Sequence, residues 1–155
     1  MKISKLLLLA SLIALFSEAN AQVEFKIITS IESIVPMGLG RSRIIENNGG
    51  ANADELTTER TEGVDSRQSA IKRNEVKIDE LNETKLLNLF SLGGINFRNI
   101  ASNDAVIASK LNLLTQQGWE LAYVTSAVES NAGKDDGEGI FITRFIFRRS
   151  LSKLK

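Results

Sequence analysis

The chain has 155 residues, 19 Lys+Arg against 19 Asp+Glu, and neither cysteine nor histidine. That inventory excludes disulfides, Ser–His and Cys–His nucleophile pairs, and zinc sites built on thiolate or imidazole. The balanced charge gives no electrostatic case for nucleic acid or for a polybasic membrane anchor.

Lys2 and Lys5 open the chain, and residues 6–16 are apolar except for Ser11. Ala19 and Ala21 then stand at the two positions that a signal peptidase reads. This is the layout of a secretory signal peptide. The apolar run is far shorter than the roughly 20 residues needed to span a bilayer. Cleavage is expected before Gln22, with residues 22–155 exported to the periplasm or the medium and no membrane span left after cleavage. The leader has no cysteine to carry a lipid.

Residues 23–35 alternate as a half-buried strand does. Val23, Phe25, Ile27, Thr29, Ile31, Ser33 and Val35 form the mainly apolar set, expected to face the core. Glu24, Lys26, Ile28, Ser30, Glu32 and Ile34 form the largely polar set. Turn chemistry at residues 36–40 ends the strand, and residues 41–46 are expected to return as the second strand of a hairpin. Residues 51–69 are rich in Thr, Glu, Asp, Gly and Ser and read as a long surface loop. Residues 71–81 fit a strand or a helix equally well. Residues 84–92 predict a short helix stopped by Gly93-Gly94.

Residues 104–117 predict the long helix. Ile107, Leu111 and Leu114 make its apolar stripe, Val106 and Leu113 flank it, and Ser102 or Asn103 caps its start. Gly118 stands where a left-handed residue ends a helix. Trp119 can then close the corner between helix and sheet, so Gly118 and Trp119 are read as a structural corner. A strand follows, with Trp119, Leu121, Tyr123, Thr125 and Ala127 on one side and Ala122, Val124 and Val128 on the other. Residues 130–139 are a polar loop. Residues 140–149 are apolar on both faces, which predicts an interior strand lying between the first strand and the Trp119 strand. The expected fold is α+β: an antiparallel sheet of three or four strands with one long helix on one face. Its order is β…α-β-β, in a single domain over residues 22–155 with a partly irregular insertion at about 36–100.

Two blocks resemble a known family. One is Leu111-Asn112-Leu113-Leu114-Thr115-Gln116-Gln117-Gly118-Trp119-Glu120-Leu121. The other is Phe141-Ile142-Thr143-Arg144-Phe145-Ile146-Phe147-Arg148-Arg149. They are similar to the helix–Gly-Trp-Glu-Leu–strand and terminal Phe-Lys/Arg strand of a small bacterial domain-of-unknown-function family. Glu24-Phe25-Lys26-Ile27-Ile28 is similar to its opening strand. The leader and the insertion resemble secreted members from the Bacteroidetes. The resemblance implies this fold and no activity, because that family offers no catalytic residues to carry over.

Candidate sites are few. Gly38-Leu39-Gly40-Arg41-Ser42-Arg43 offers backbone N–H groups and the Arg41 and Arg43 guanidinium groups to an anion, but a tight turn with exposed arginines is favoured. Asp135-Asp136-Gly137-Glu138, with Glu129 and Asn131, offers oxygen ligands to calcium but lacks the spacing of an EF-hand, and a solvated hairpin tip is favoured. Arg144 and Arg148 share a face with Ile142 and Ile146. They offer a mixed apolar–basic surface or, as favoured, ion pairs with Glu24 and Glu32. No catalytic residue, metal site or cofactor is assigned. The expected function is a non-catalytic binding or envelope-accessory module that meets an envelope or extracellular protein or glycan, not nucleic acid. The alternatives are a carboxylate-based enzyme acting on an envelope polysaccharide and a self-assembling, homo-oligomeric component.

Overall fold

The computed structural model describes residues 22–35, 41–63, 67–129 and 139–151. The leader at residues 1–21 and the glycines at 38 and 40 lie outside them, as do Asn131 and residues 135–138 of the expected calcium loop. The fold is α+β. In chain order it comprises β1 (Val23–Ser33), β2 (Arg43–Asn47), α1 (Arg73–Val76), β3 (Leu81–Lys85), β4 (Phe90–Ser91), β5 (Gly94–Ile95), α2 (Phe97–Gln116), β6 (Glu120–Val128) and β7 (Ile140–Ser150). Five strands form one antiparallel sheet in the order β3-β2-β1-β7-β6, and β4 and β5 form a separate small hairpin. The sheet exceeds the three or four strands expected, because β3 extends the β1–β2 hairpin.

β7 occupies the interior position that its two apolar faces predict, paired with β1 along its whole length and with β6 on the other side. The hairpin also forms as expected, with Thr29 opposite Ile45 and Ile31 opposite Arg43. Residues 51–60 are irregular apart from a 3-10 turn at Asp54–Leu56. The ambiguous stretch at 71–81 resolves into the single turn of α1 followed by extended chain.

The helix expected over residues 84–92 does not form. Residues 81–85 are β3, and residues 86–89 are irregular chain whose backbone groups are bonded from outside the segment. Leu86 N–H donates to the Ser42 carbonyl, Leu89 N–H donates to the Ser33 carbonyl, and the Asn103 amide both accepts from Leu87 N–H at 2.8 Å and donates to the Leu87 carbonyl at 2.8 Å. These tertiary partners outweigh a short helix of four apolar residues, whose nucleation is costly. Leu92 and Gly93 turn the β4–β5 hairpin, and Gly94 opens β5 at φ +104°, so the two glycines serve a hairpin instead of stopping a helix.

α2 begins seven residues before the predicted start, at Phe97 rather than Asp104. Its cap is Asn96, whose side chain accepts from Arg98 N–H at 3.1 Å and Asn99 N–H at 3.3 Å. Ser102 and Asn103, the expected caps, lie within the helix: Ser102 donates to the Arg98 carbonyl, and Asn103 is buried under residue 87. The C-terminus ends as the sequence predicts. Gly118 has φ +85°, its N–H reaches the Thr115 carbonyl and Trp119 N–H reaches the Leu114 carbonyl, which is a Schellman motif.

The core lies between α2 and one face of the sheet. Ile28, Ile44, Leu86, Leu114, Trp119 and Phe147 are buried there, with Val106, Ile107, Leu111 and Phe145 packed against them. The side of β1 that α2 covers is the reverse of the expected one. Ile28 and Ser30 of the polar set are 0% and 1% exposed, whereas Phe25 of the apolar set is 64% exposed. The alternation is as predicted; its direction is not. The charged residues on the covered side each find a partner. Glu24 binds Arg149, Lys26 binds Glu46, and Glu32 accepts from Asn103. A buried polar group costs little once it is bonded.

Candidate functional site

The face of the sheet away from α2 has no layer over it among the described residues. Antiparallel partners share a face, so the register identifies its members. Phe25 stands opposite Arg148, Ile27 opposite Ile146, Thr29 opposite Arg144 and Ile31 opposite Ile142. On β6, Tyr123 stands opposite Ile146, Thr125 opposite Arg144 and Ala127 opposite Ile142. The result is an apolar field crossed by a row of arginine and threonine. Val23, Phe25, Ile27 and Tyr123 on it are all substantially exposed. Single exposed apolar residues are ordinary, but a contiguous group on one flat face marks a contact surface.

β6 departs from simple alternation. A bulge between Leu121 and Tyr123 puts Leu121 opposite Phe147 on the covered face and Tyr123 opposite Ile146 on the open one. The two residues therefore lie on opposite faces, not together as the sequence predicts. A bulge inserts one residue and reverses the phase of the strand beyond it. It is the bulge that delivers the Tyr123 ring to the open face.

The arginines singled out from sequence are spread over the molecule. Arg41 is exposed just before β2. Arg43 is within β2, and its guanidinium donates to Glu83 of β3 at 2.6 Å, so it is not held for an external anion. Arg148 grips Glu120 with two hydrogen bonds of 3.1 and 3.2 Å. The hydrogen bond and charge of Glu120 raise the Arg148 pKa. Glu24 bonds Arg149 and Glu32 accepts from Asn103, so neither of the expected pairings with Arg144 and Arg148 forms. Arg144 is exposed on the open face and has no ion pair among the described residues. The structure thus brings Arg144 and Arg148 onto one apolar face and leaves Arg41 apart in a loop.

Trp119 is buried at the corner after α2. Arg149 stacks on its ring, with the guanidinium carbon 4.2 Å from the ring centroid, and the Lys26 ammonium lies 5.7 Å from it. Beside this corner, Glu46 receives Lys26 at 2.6 Å and Lys110 of α2 at 2.5 Å. Burial pushes the Glu46 pKa up, but the hydrogen bonds and charges of Lys110 and Lys26 outweigh it and hold the carboxyl below its ordinary value of 4.5. Sequence reasoning missed this triad, since its members come from β1, β2 and α2 and share no local spacing.

A cleft of about 410 Å3 opens on the covered side beyond the helix, between Leu89, Glu32 and the ends of β6 and β7 at Val128 and Phe141. The Glu32 carboxylate there accepts from Asn103 at 3.0 Å. Among the described residues no group of three or more acidic side chains is placed to hold a metal ion, and no helix is long and apolar enough to cross a membrane. Comparison of the chain with protein-family models, with curated proteins and with solved structures found no match.

Proposed function

We propose that the chain is an exported, non-catalytic binding module of the cell envelope or exterior, working through the open face of its sheet. Its kinship with the small bacterial domain family of the Gly-Trp-Glu-Leu block belongs to the same proposal. The observation that carries it is the direction of β1. The mainly apolar set of that strand, Phe25 and Ile27 among it, points away from the long helix α2, and the largely polar set, with Ile28 as its one core residue, points toward it. An apolar set facing water costs solvation free energy, about 25 cal/mol for each Å2 left uncovered. A protein partner that covers it recovers that term. Arg144 adds direction, because its guanidinium rewards a partner with acidic or carbonyl groups beside the apolar field, while Arg148 is held by Glu120.

The pattern of residues 1–21 supports export, and the lack of cysteine and histidine supports a binding role over a catalytic one. The test is the double variant Phe25→Asp/Ile27→Asp in the native host. The parent chain is expected to hold a stoichiometric partner in a cross-linked envelope extract, and the variant to lose it while its melting temperature stays within a few degrees of the parent's. Equal retention by parent and variant overturns the reading.

A further inference from the structure

The two edges of the sheet are built differently. β3 is one edge. It is five residues long, its Glu83 is tied to Arg43, and it ends on Lys85. Short length and charge are how an edge strand resists pairing with another chain. β6 is the other edge. It is nine residues long and exposed throughout, Leu121, Tyr123, Val124 and Val128 included. Residues 121–128 carry no charge, and Glu120 at the start is held by Arg148. The bulge at Leu121/Tyr123 protects only the first end. Residues 123–128 pair regularly with β7, so their outward backbone groups form a regular template.

We propose that β6 pairs antiparallel with β6 of a second copy of this chain, joining two five-stranded sheets into one. The proposal rests on the reading of the chain as a binding module and adds a second contact, at the sheet edge, to the open face. Charge selects the second copy. Residues 123–127 are neutral, so two copies meet with no like charges opposed, whereas the charged β3 edge offers no such contact. A two-fold axis through Thr125 overlaps the regular residues 123–127, roughly 17 Å of strand at about 3.4 Å per residue. Tyr123 then lies opposite Ala127 of the second copy, Thr125 opposite its own counterpart and Val124 opposite Ser126. These pairs match in face, because Tyr123, Thr125 and Ala127 lie on the open side while Val124 and Ser126 lie on the helix side. Thr–Thr is a favourable cross-strand pair. An axis normal to the sheet keeps both α2 helices on one side and joins the two apolar open faces. The contact is isologous, so it closes at a dimer.

Sedimentation of the full-length chain, as the cell processes it, over a hundredfold range of concentration tests this. The expected result is a reversible monomer–dimer equilibrium. Val124→Lys/Ser126→Lys and Val124→Glu/Ser126→Glu should each weaken it about tenfold or more, the factor that 1.4 kcal/mol produces. An equal mixture of the two variants should restore association, since opposite charges then face each other. Both variants alter exposed positions, and unchanged melting temperatures verify the monomer fold. A monomer at every concentration overturns the proposal, as does a dimer that neither variant weakens. A dimer abolished only by Phe25→Asp/Ile27→Asp places the contact on the open face and also overturns edge pairing. The broader reading fails separately, when the Asp variant keeps every envelope partner.

Discussion

β1 shows its two sides to two different environments, and the contrast between them organises the molecule. On one side Ile28 is fully buried under α2, next to Ile44 and Phe147, while Glu24, Lys26 and Glu32 are drawn into hydrogen bonds around it. On the other side Phe25 and Ile27 stand beside Ile146 and Arg148 with no layer over them among the described residues. The more apolar set is the uncovered one. The covered side therefore holds the chain together, and the open side is available to a partner. The two sides should respond to mutation in opposite ways.

The largest stability effect belongs to the covered side. Phe147→Ala removes a fully buried ring from between β1, β6 and α2 and is expected to cost about 3–5 kcal/mol, read from urea denaturation. Partner capture should fall only as far as the folded fraction does. Next is Asn103→Leu. It leaves the Leu87 N–H and carbonyl without their partner beneath α2 and is expected to cost about 1–3 kcal/mol by the same measurement. A loss near zero would mean that residues 86–89 are held by other contacts.

The Glu46 triad gives the covered side a pH dependence. Its carboxyl titrates below 4.5 in the folded chain and near 4.5 in the unfolded one, so the unfolded state takes up its proton first as pH falls. The contribution of Glu46 is complete above that value and is lost as pH falls through the folded pKa. Glu46→Gln is expected to lower stability at neutral pH and to flatten the acid limb of the stability curve. An acid limb of unchanged slope contradicts this placement of the charge. The smallest stability effect belongs to the open side: Phe25→Ala is expected to move stability by less than about 0.5 kcal/mol in the isolated chain, despite removing a whole ring.

Much of this architecture is legible in the sequence, and the misreadings have physical causes. The interior place of β7 follows from apolar residues at both parities. The end of α2 follows from Gly118-Trp119, since a positive-φ glycine leaves one way for the chain to leave the helix. Both signals are local. Periodicity shows that β1 has two unlike faces, but it cannot say which one a distant helix will cover, because Lys26, Glu32 and Glu24 find their partners from β2, α2 and β7. The start of α2 is hidden for a related reason. Phe97 and the residues after it carry no apolar stripe, and the Asn96 cap stands eight residues ahead of the visible pattern. Leucines that read as a helix hide the strand at residues 81–85, and a single bulge in β6 moves Tyr123 to the face that alternation assigns to Val124. Arg43 reads as an exposed arginine of a tight turn, or as part of an anion-binding loop, until Glu83, forty residues later, is seen to take it.

The chain has no cysteine of its own, so a single introduced thiol reports one position cleanly. The measurement to make is the alkylation rate of Phe25→Cys against Ile28→Cys, first in the dilute isolated chain and then in the envelope of its host. The account predicts that Phe25→Cys reacts at nearly the unfolded rate in isolation, at least about tenfold faster than the buried position, and becomes protected in the envelope. Equal, slow reaction of both positions in the isolated chain contradicts it, because the apolar face would then be covered by the chain itself.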